Sequence, residues 1–409
     1  MVHDDAVAYV AGVTKPKSHR TGANLALALV AIALGVMFVG AILPTPLYPL
    51  YQQAFGFSGV TLTLVYAVYV LGNLVALLFF GRLSDQIGRR IVTLSAIGVG
   101  IASALAFAFA TGTPWLFAAR ALSGFSTGLA SGTATAWIAE LYDDRGAASR
   151  IAAGANFFGC AAGPLLGGLL AQFAFWPLRL PFFIYLLLLC AVAGAILFAP
   201  ETLAEPKPLS EVSLKPRFGV PQQIWLRFIA PAAAAFATFA LIAFYAALIP
   251  NLLADRLHQP APLVAGLVVC ELFGIAAITI LSTGKLESQT TMFGALALLL
   301  PSVWILVGAE VARSMPLLIF AAAVGGIAGG LGYRGSLEVV NRIAPADRRS
   351  ETVSSYLIAC FAGNSVPVIG IGLMSAQLGA LTAHIVFAAV ITVLAGLAFL
   401  TGMKFAPKA

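Results

Sequence analysis

Charged residues are scarce in this chain of 409 residues. Asp, Glu, Lys and Arg together make up 10% of it, while hydrophobic residues make up 60%. Such a composition cannot supply the polar exterior that a water-soluble protein needs. The chain is therefore predicted to be an integral membrane protein that has lipid as its solvent.

Several catalytic and ligand-binding motifs are also missing. The four cysteines lie in apolar runs, without a C-x-x-C pair, which favours buried packing residues over disulfides or metal ligands. A phosphate-binding G-x-x-x-x-G-K-[ST] loop is absent, as are paired acids, a Ser-His set and a metal-ligand cluster within the apolar runs. We expect no enzyme activity, no cofactor and no metal.

Long apolar stretches are abundant. A helix needs about 20 residues to cross roughly 30 Å of hydrocarbon, and a barrel would instead show short alternating segments. Twelve helices are predicted, over residues 25–47, 60–80, 91–112, 114–138, 150–172, 180–199, 226–249, 262–283, 291–309, 315–334, 351–376 and 381–402.

The positive charges indicate an orientation. With both termini on one side, all of the 23 Lys and Arg residues except four fall on that side, the exceptions being Arg120, Arg179, Arg256 and Arg313. Cytoplasmic loops carry such an excess, so both termini are predicted to be cytoplasmic in a cell (inner) membrane. This distribution over short loops also explains the net charge of +7 without a nucleic-acid partner.

The chain divides at one long, proline-rich polar interval. We predict an N-terminal tail at 1–24, a first six-helix bundle at 25–199, a central cytoplasmic loop at 200–225, a second bundle at 226–402 and a tail at 403–409. Matches at one offset, Gly81-Arg82-Leu83 with Gly284-Lys285-Leu286 and Pro164 with Pro367, favour an internal duplication.

A charged turn of ten residues separates the second and third apolar runs. It reads Gly81-Arg82-Leu83-Ser84-Asp85-Gln86-Ile87-Gly88-Arg89-Arg90. This segment, the signature loop, resembles the G-x-L-x-D-x-x-G-R-R/K loop of the major facilitator superfamily. The resemblance implies a fold of twelve transmembrane helices in two pseudo-symmetric six-helix bundles, and the activity of a secondary transporter.

The same resemblance implies a cytoplasmic gate. Gly81, Gly88 and Arg90 would shape the loop. Asp85 and Arg89 would close the gate against the start of the eleventh helix, near 347–350, with Glu140 as a further partner.

The fourth and fifth helices carry two further motifs. Arg120 with glycines four and eight residues later resembles the superfamily's R-x-x-x-G-x-x-x-G motif, where arginine is associated with proton coupling; a snorkelling structural arginine is the alternative. The fifth helix resembles the motif of drug/proton antiporters, here called the antiporter motif, through Gly159, Gly163, Pro164, Gly167 and Gly168. A helix-packing face without directional meaning is its alternative.

Glu271 is the only acid that the predicted spans place deep in the membrane. A central carboxylate is costly in lipid, so we expect it to face the bundle interior and to be protonated for part of a transport cycle. A carboxyl group permanently satisfied by another helix is the alternative.

Polar residues within spans are weaker candidates for a substrate cavity: Asn73, Asn156, Tyr245, Tyr333 and Asn364. His384 is interpreted as a hydrogen-bonded packing residue, with a proton relay as the alternative. Tyr48 and Tyr51 are interpreted as interfacial aromatic residues.

These patterns predict proton-coupled efflux of a small amphipathic molecule or drug by alternating access, with the proton as coupling ion and the protein as a monomer in the bilayer. Two alternatives remain. One is a symporter or facilitator that imports a metabolite, and the other is a receptor that has the fold but does not transport.

Overall fold

A computed structural model describes residues 17–214, 216 and 218–405. Within this part of the chain the regular structure is entirely helical, as predicted, and twelve helices are long. They are α1 (Lys17–Ile42), α2 (Gly59–Phe80), α3 (Arg89–Ala108), α4 (Thr113–Leu141), α5 (Arg145–Phe173), α6 (Leu180–Ile196), α7 (Trp225–Asp255), α8 (Pro262–Ser282), α9 (Ser288–Ala312), α10 (Met315–Ile343), α11 (Arg349–Leu378) and α12 (Ala380–Phe405).

Ten stretches of the described chain are helical, long enough and apolar enough to cross a membrane. The sequence predicted twelve spans. Of the other two helices, α6 is shorter, with 17 residues, and α4 carries Arg120 together with several Gly, Ser and Thr residues. Both lie among the apolar helices, so their membrane crossing follows from their packing and not from length and hydropathy alone.

Polar residues mark the starts of several helices. Ser58 accepts a hydrogen bond from the Thr61 amide at the start of α2, and Asp144 accepts two, from the amides of Gly146 and Ala147, at the start of α5. Such caps satisfy the amides that a helix start leaves unpaired.

The first predicted span is interrupted. It was predicted over 25–47, but α1 ends at Ile42, and a short helix at Tyr48–Phe55 follows it. Tyr48 and Tyr51 on this helix are both 1% exposed, so the prediction of interfacial positions was wrong. They are buried because the short helix packs against α7.

The helices contact one another mainly within two groups. In the first, α4 packs against α1, α2 and α3, and α1 also packs against α5; in the second, α7 packs against α10, α11 and α12. Between the groups, α5 packs along α8 and α2 along α11. These four helices position the central cavity described below.

The segment between α6 and α7 contacts both groups. The Lys207 amide donates to the Gln86 carbonyl at 2.7 Å, and the Gly219 amide donates to Ser355 Oγ on α11 at 2.9 Å. Residues 1–16 of the predicted N-terminal tail and 406–409 of the C-terminal tail lie outside the described residues.

Candidate functional site

A central cavity of about 90 Å³ lies between the two groups of helices. Four of the five predicted cavity residues line it, namely Asn73, Asn156, Tyr333 and Asn364. Half of the remaining lining residues are aromatic, namely Phe38, Tyr66, Tyr69, Phe157, Phe239, Phe273 and Phe361. Within the described part of the chain, none of the lining residues is charged.

Two polar contacts organise the cavity wall. Tyr66 Oη donates to Asn364 Oδ1 at 3.1 Å and so links α2 to α11. Asn73 Nδ2 donates to Thr127 Oγ1 at 3.3 Å, while Asn73 Oδ1 is buried without a partner among the described residues.

Tyr245, the fifth predicted cavity residue, does not line the cavity. It is fully buried beside Phe244 on α7, so that prediction was wrong. Sequence reasoning also missed Tyr66 and Tyr69, which share a helix face with Asn73 at spacings of seven and four residues. That spacing was the available signal, because residues three or four apart lie on one face.

Arg120 lies at the back of this wall and is 1% exposed. Its Nη1 donates to the Ala41 carbonyl at 2.6 Å, and its guanidinium carbon lies 4.5 Å from the centre of the Tyr69 ring and 5.4 Å from that of Tyr66. Its Nε and Nη2 have no hydrogen-bond partner in the described chain. The positive charge is therefore held mainly by aromatic faces and not by an acid.

The glycines that follow Arg120 let α4 approach α2. A Cβ atom on Gly124 would lie 1.9 Å from the Tyr69 carbonyl oxygen, and one on Gly128 would lie 2.8 Å from the Asn73 carbonyl oxygen. Only glycine permits such contact with a neighbouring backbone. This packing brings Arg120 over the Tyr69 ring.

The antiporter motif lies at two helix interfaces. Cβ atoms on Gly159, Gly163 and Gly167 would lie between 2.1 and 2.4 Å from carbonyl oxygens of α1 or of the Leu43 turn that follows it. One on Gly168 would instead lie 2.5 Å from the Pro262 carbonyl oxygen at the start of α8. Pro164 lies inside α5. Gly168 therefore lies where the two groups of helices meet.

The two ends of the bundle differ. At the end opposite the signature loop, here called the opposite end, three hydrogen bonds join the two groups: Thr45 to the Ala246 carbonyl, Asn251 to Gln52, and the Leu263 amide to Gln172. At the signature end, the described residues show no hydrogen bond between helices of the two groups. A space of about 180 Å³ instead separates the end of α2 from the start of α11 there.

Most of the predicted gate residues lie together at the signature end. Arg89 forms ion pairs with Asp85 and with Glu140, the latter at 2.5 Å, and its Nη1 donates to Ser84 Oγ at 2.6 Å. Arg90 Nη2 donates to the Ala199 carbonyl at 2.6 Å. These contacts fasten the signature loop to the ends of α4 and α6. Gly81 lines the adjoining space beside α11.

Glu201, which was not predicted from the sequence, also belongs to this cluster. Its two carboxylate oxygens accept hydrogen bonds from the amides of Arg89 and Arg90, each at 2.9 Å. Gly88 has a φ of 111°, and a Cβ atom there would lie 2.8 Å from Glu201 Oε2. Both the backbone conformation and the contact explain why this position needs glycine.

The Glu201 carboxyl has a perturbed acidity. Its partial burial raises the pKa, but hydrogen bonds from the amides of Arg90, Arg89, Leu203 and Thr202 together outweigh burial and hold the pKa below its ordinary value. A depressed pKa in the folded state means that the carboxylate stabilises the fold above the unfolded-state pKa. This contribution is lost as the pH falls through the lower folded-state pKa.

We expect Glu201→Gln to lower the stability of the purified protein by about 1 kcal/mol at pH 7, the typical effect of losing a helix cap. The two proteins should become equally stable in acid, where Glu201 is protonated. Thermal unfolding in detergent at several pH values measures both effects. Glu205→Gln is the matched control, because Glu205 makes no hydrogen bond or ion pair in the described chain. An equal difference at all pH values would contradict the prediction.

The predicted contact between the signature loop and 347–350 is absent from this conformation. Asp85 pairs with Arg89 on its own side of the space, and no ion pair or hydrogen bond joins it to the start of α11 in the described chain. The reason is the separation of α2 from α11 at this end. The gate role of these residues remains a prediction for a conformation in which this end is closed.

Glu271 does not line the central cavity. It is half-buried on α8, on the helix face that also carries the exposed residues Leu267 and Ile278, four positions before it and seven after it. The expectation that it faces the bundle interior is not met in this conformation. A second buried acid, Glu310, is 1% exposed and lies near the end of α9, which runs past the predicted end at 309.

These features define a class: a multi-pass helical membrane protein with a cavity between two groups of helices. A family model described as the Major Facilitator Superfamily matches residues 25–313, and the chain belongs to that superfamily. This confirms the predicted fold and the predicted class, a membrane transporter and not an enzyme.

Named efflux pumps are among the relatives. The multidrug efflux pump LfrA of Mycolicibacterium smegmatis is 32% identical over 206 residues, which are 49% of this chain and 40% of that protein. A homolog of the multi-drug resistance efflux pump PmrA from Lactococcus lactis is 35% identical over 147 residues, 34% of this chain and 36% of that protein. The chain thus spans less than half the length of these relatives in the matched regions.

The fold is also found in a crystal structure of a bacterial homolog to the human lysosomal transporter Spinster. The two structures agree with a TM-score of 0.70 over 94% of this chain and 98% of that chain, at 14% sequence identity.

Proposed function

We propose that this protein is a secondary active transporter that exports a small amphipathic organic molecule in exchange for protons, by alternating access. In this proposal the signature end faces the cytoplasm of the cell, across its inner membrane, as the positive charges of the loops indicate. The conformation described above is then open toward the inside.

The proposal rests mainly on the central cavity. Its wall is rich in aromatic side chains and carries no charge in the described chain, and it includes the amide side chains of Asn73, Asn156 and Asn364. A pocket of this kind suits a molecule with an aromatic or aliphatic body and one or two polar groups. It offers no acidic side chain to a permanent cation.

Alternating access is supported by the unequal ends of the bundle. Three direct hydrogen bonds join the two groups at the opposite end, although a space of about 310 Å³ also lies between them there. At the signature end, no hydrogen bond joins helices of the two groups in the described chain, and a space remains between α2 and α11. Rocking of the two groups about the α5–α8 and α2–α11 interfaces would exchange the open and closed ends.

The direction of transport is supported by the antiporter motif and by the relatives, which are named as efflux pumps. Proton coupling is supported by the burial of Arg120 without an acidic partner, and Glu271 remains the predicted proton carrier. Because Glu271 does not line the cavity, we expect it to act on the movement of α8 and not through contact with the substrate.

The proposal is tested by binding and by transport. Purified protein is heated with a panel of antibiotics, amphipathic cations and metabolites at pH 6 and pH 8, and wild type is compared with Glu271→Gln. We expect a ligand that stabilises wild type more strongly at pH 8, and we expect the variant to lose this dependence. In vesicles, the same ligand should leave against its gradient when a pH gradient is imposed.

Other outcomes would support the alternatives. Transport that proceeds down the ligand gradient without regard to pH would indicate a facilitator, and accumulation driven by protons in the same direction would indicate a symporter. Binding without counterflow would indicate a receptor. Export by Glu271→Gln at the wild-type rate would remove Glu271 from the coupling mechanism.

A further inference from the structure

A buried ionic cluster lies at the opposite end, outside the central cavity. Glu310 near the end of α9 is 1% exposed, and His384 near the start of α12 is 5% exposed. His384 Nδ1 lies 2.6 Å from Glu310 Oε2, and Arg256 Nε, just after α7, lies 3.1 Å from Glu310 Oε1. The cluster therefore joins three helix ends.

The two partners hold Glu310 differently. The His384 contact is a short hydrogen bond, whereas the Arg256 contact is an ion pair whose geometry does not satisfy hydrogen-bond criteria. His384 is thus the one hydrogen-bond partner of this carboxylate in the described chain. A charge buried to this degree is costly and is not needed to pack three helices, which apolar side chains do equally well.

The cluster has access to water. His384 and Arg256 line a cavity of about 310 Å³, here called the vestibule, which is larger than the central cavity. Its wall includes Ser58 and Thr63 from the α2 region of the first group, and Asn251 from α7 of the second. A proton can therefore reach the imidazole without crossing the apolar part of the bundle.

Few other charges surround the pair. Arg256, which follows α7, contacts Glu310, and Asp255 at the end of α7 lines the vestibule. Arg313, which follows α9, and His258, which follows α7, are both exposed. The vestibule walls contributed by α2, α11 and α12 contain no other titratable side chain within the described residues. Among the described residues of the vestibule wall, His384 is the one histidine, and histidine is the side chain that ordinarily changes charge between pH 5 and 8.

We propose that His384 is a proton-binding residue at the opposite end, loaded from the vestibule and positioned by Glu310, and that its protonation loosens the contact by which Glu310 anchors the end of α7 through Arg256. In the unprotonated state, Nδ1–H donates to the carboxylate and Nε2 keeps a lone pair. A proton from vestibule water binds Nε2, and no other bond forms or breaks.

Protonation changes the balance of charge around Glu310. Before His384 is protonated, the charges of Arg256 and Glu310 neutralise each other. After protonation, two cations, Arg256 and His384, share the single carboxylate of Glu310. The imidazolium, with the better hydrogen-bond geometry, then competes with Arg256. Since Arg256 follows α7, which supplies the Ala246 carbonyl and Asn251 to the closed opposite end, loading of His384 favours opening of that end. The assignment of this end to the outside rests on the proposed function.

The first experiment does not depend on transport. Protein labelled with ¹⁵N-histidine is titrated from pH 5 to pH 8, and the His384 signal is assigned by its loss in His384→Gln. We expect this signal to change from neutral imidazole to imidazolium. Glu310→Gln keeps the side-chain volume but removes the carboxylate that accepts from Nδ1, so the His384 signal of this variant should show a changed hydrogen bond at Nδ1. A His384 signal that does not titrate would overturn the proposal, whatever the transport activity.

The second experiment concerns coupling. In vesicles, the pH on the vestibule side is varied, and we expect His384→Gln to lose the dependence of wild-type export on that pH. His258→Asn is the matched control, because His258 is exposed and its φ of 55° is one that asparagine tolerates. Unchanged pH dependence in His384→Gln would overturn the role in opening. Absence of gradient-driven export in wild type would instead count against the proposed function, and the titration would still decide the proton site.

Discussion

Replacing Arg120 by methionine is expected to reduce proton-driven efflux by tenfold or more, since about 1.4 kcal/mol lost from the transport cycle already gives a factor of ten. Methionine keeps an apolar stem but removes the charge that lies over the Tyr69 ring. The stability of the purified protein should change little or increase. Within the described residues, Arg120 makes one hydrogen bond and has two nitrogens without partners, and apolar replacement of buried charged groups is often neutral or stabilising.

Arg120→Lys separates charge from shape in this prediction. Lysine keeps the charge but cannot place a planar guanidinium over two aromatic rings, so we expect a partial loss of efflux. Efflux in vesicles and thermal unfolding of the same preparations measure the two effects independently. Wild-type efflux by Arg120→Met, or a loss of efflux that merely follows a loss of folded protein, would identify Arg120 as a structural residue.

Gly168→Ala is expected to shift the protein away from the conformation closed at the opposite end. The new methyl group would lie 2.5 Å from the Pro262 carbonyl oxygen and 3.1 Å from Leu263 Cα, both of them backbone atoms. Overpacking of this kind costs about 1–3 kcal/mol, and the strain disappears when α5 and α8 separate there. Because about 1.4 kcal/mol changes a population ratio tenfold, the change in the populations of the two conformations should be large. A ligand that was bound from the signature end should then dissociate faster, since the conformation that binds it is less populated.

The shift can be measured as a distance. Spin labels on Phe175→Cys and Gln259→Cys, at exposed positions of the two groups, report the opening of the opposite end in a background where the exposed Cys190 is serine. Gly98→Ala is the matched control, since a Cβ atom at Gly98 would meet nothing within 4 Å. An unchanged distance distribution in Gly168→Ala would show that this contact does not set the balance between conformations.

Much of the candidate site was predictable because its residues stand out locally. Asn73, Asn156, Tyr333 and Asn364 are polar residues in apolar runs, and the structure brings all four to one cavity. Their aromatic neighbours were not recognised, because an aromatic residue in an apolar helix gives the same local signal in the core, at the lipid surface and on a cavity wall.

The burial of the two acidic residues, Glu271 and Glu310, could not be predicted from the sequence. Glu271 and Glu310 both lie in apolar helices, and position along the chain favoured Glu271 as the buried one. The structure has Glu310 enclosed between His384 and Arg256, from helices distant in sequence, while Glu271 shares a face with exposed residues. The burial of a side chain depends on which helices surround it.

Apolar runs, loop charges and glycine spacing are properties of short segments, and they were enough to establish a helical membrane protein with the signature loop and the antiporter motif. Which end of the bundle is closed, which residues line the cavity and where a proton can be bound depended on contacts between segments far apart in the chain. Such contacts follow from the packing of whole helices, because the energy of each interface depends on both partners and neither segment specifies the other.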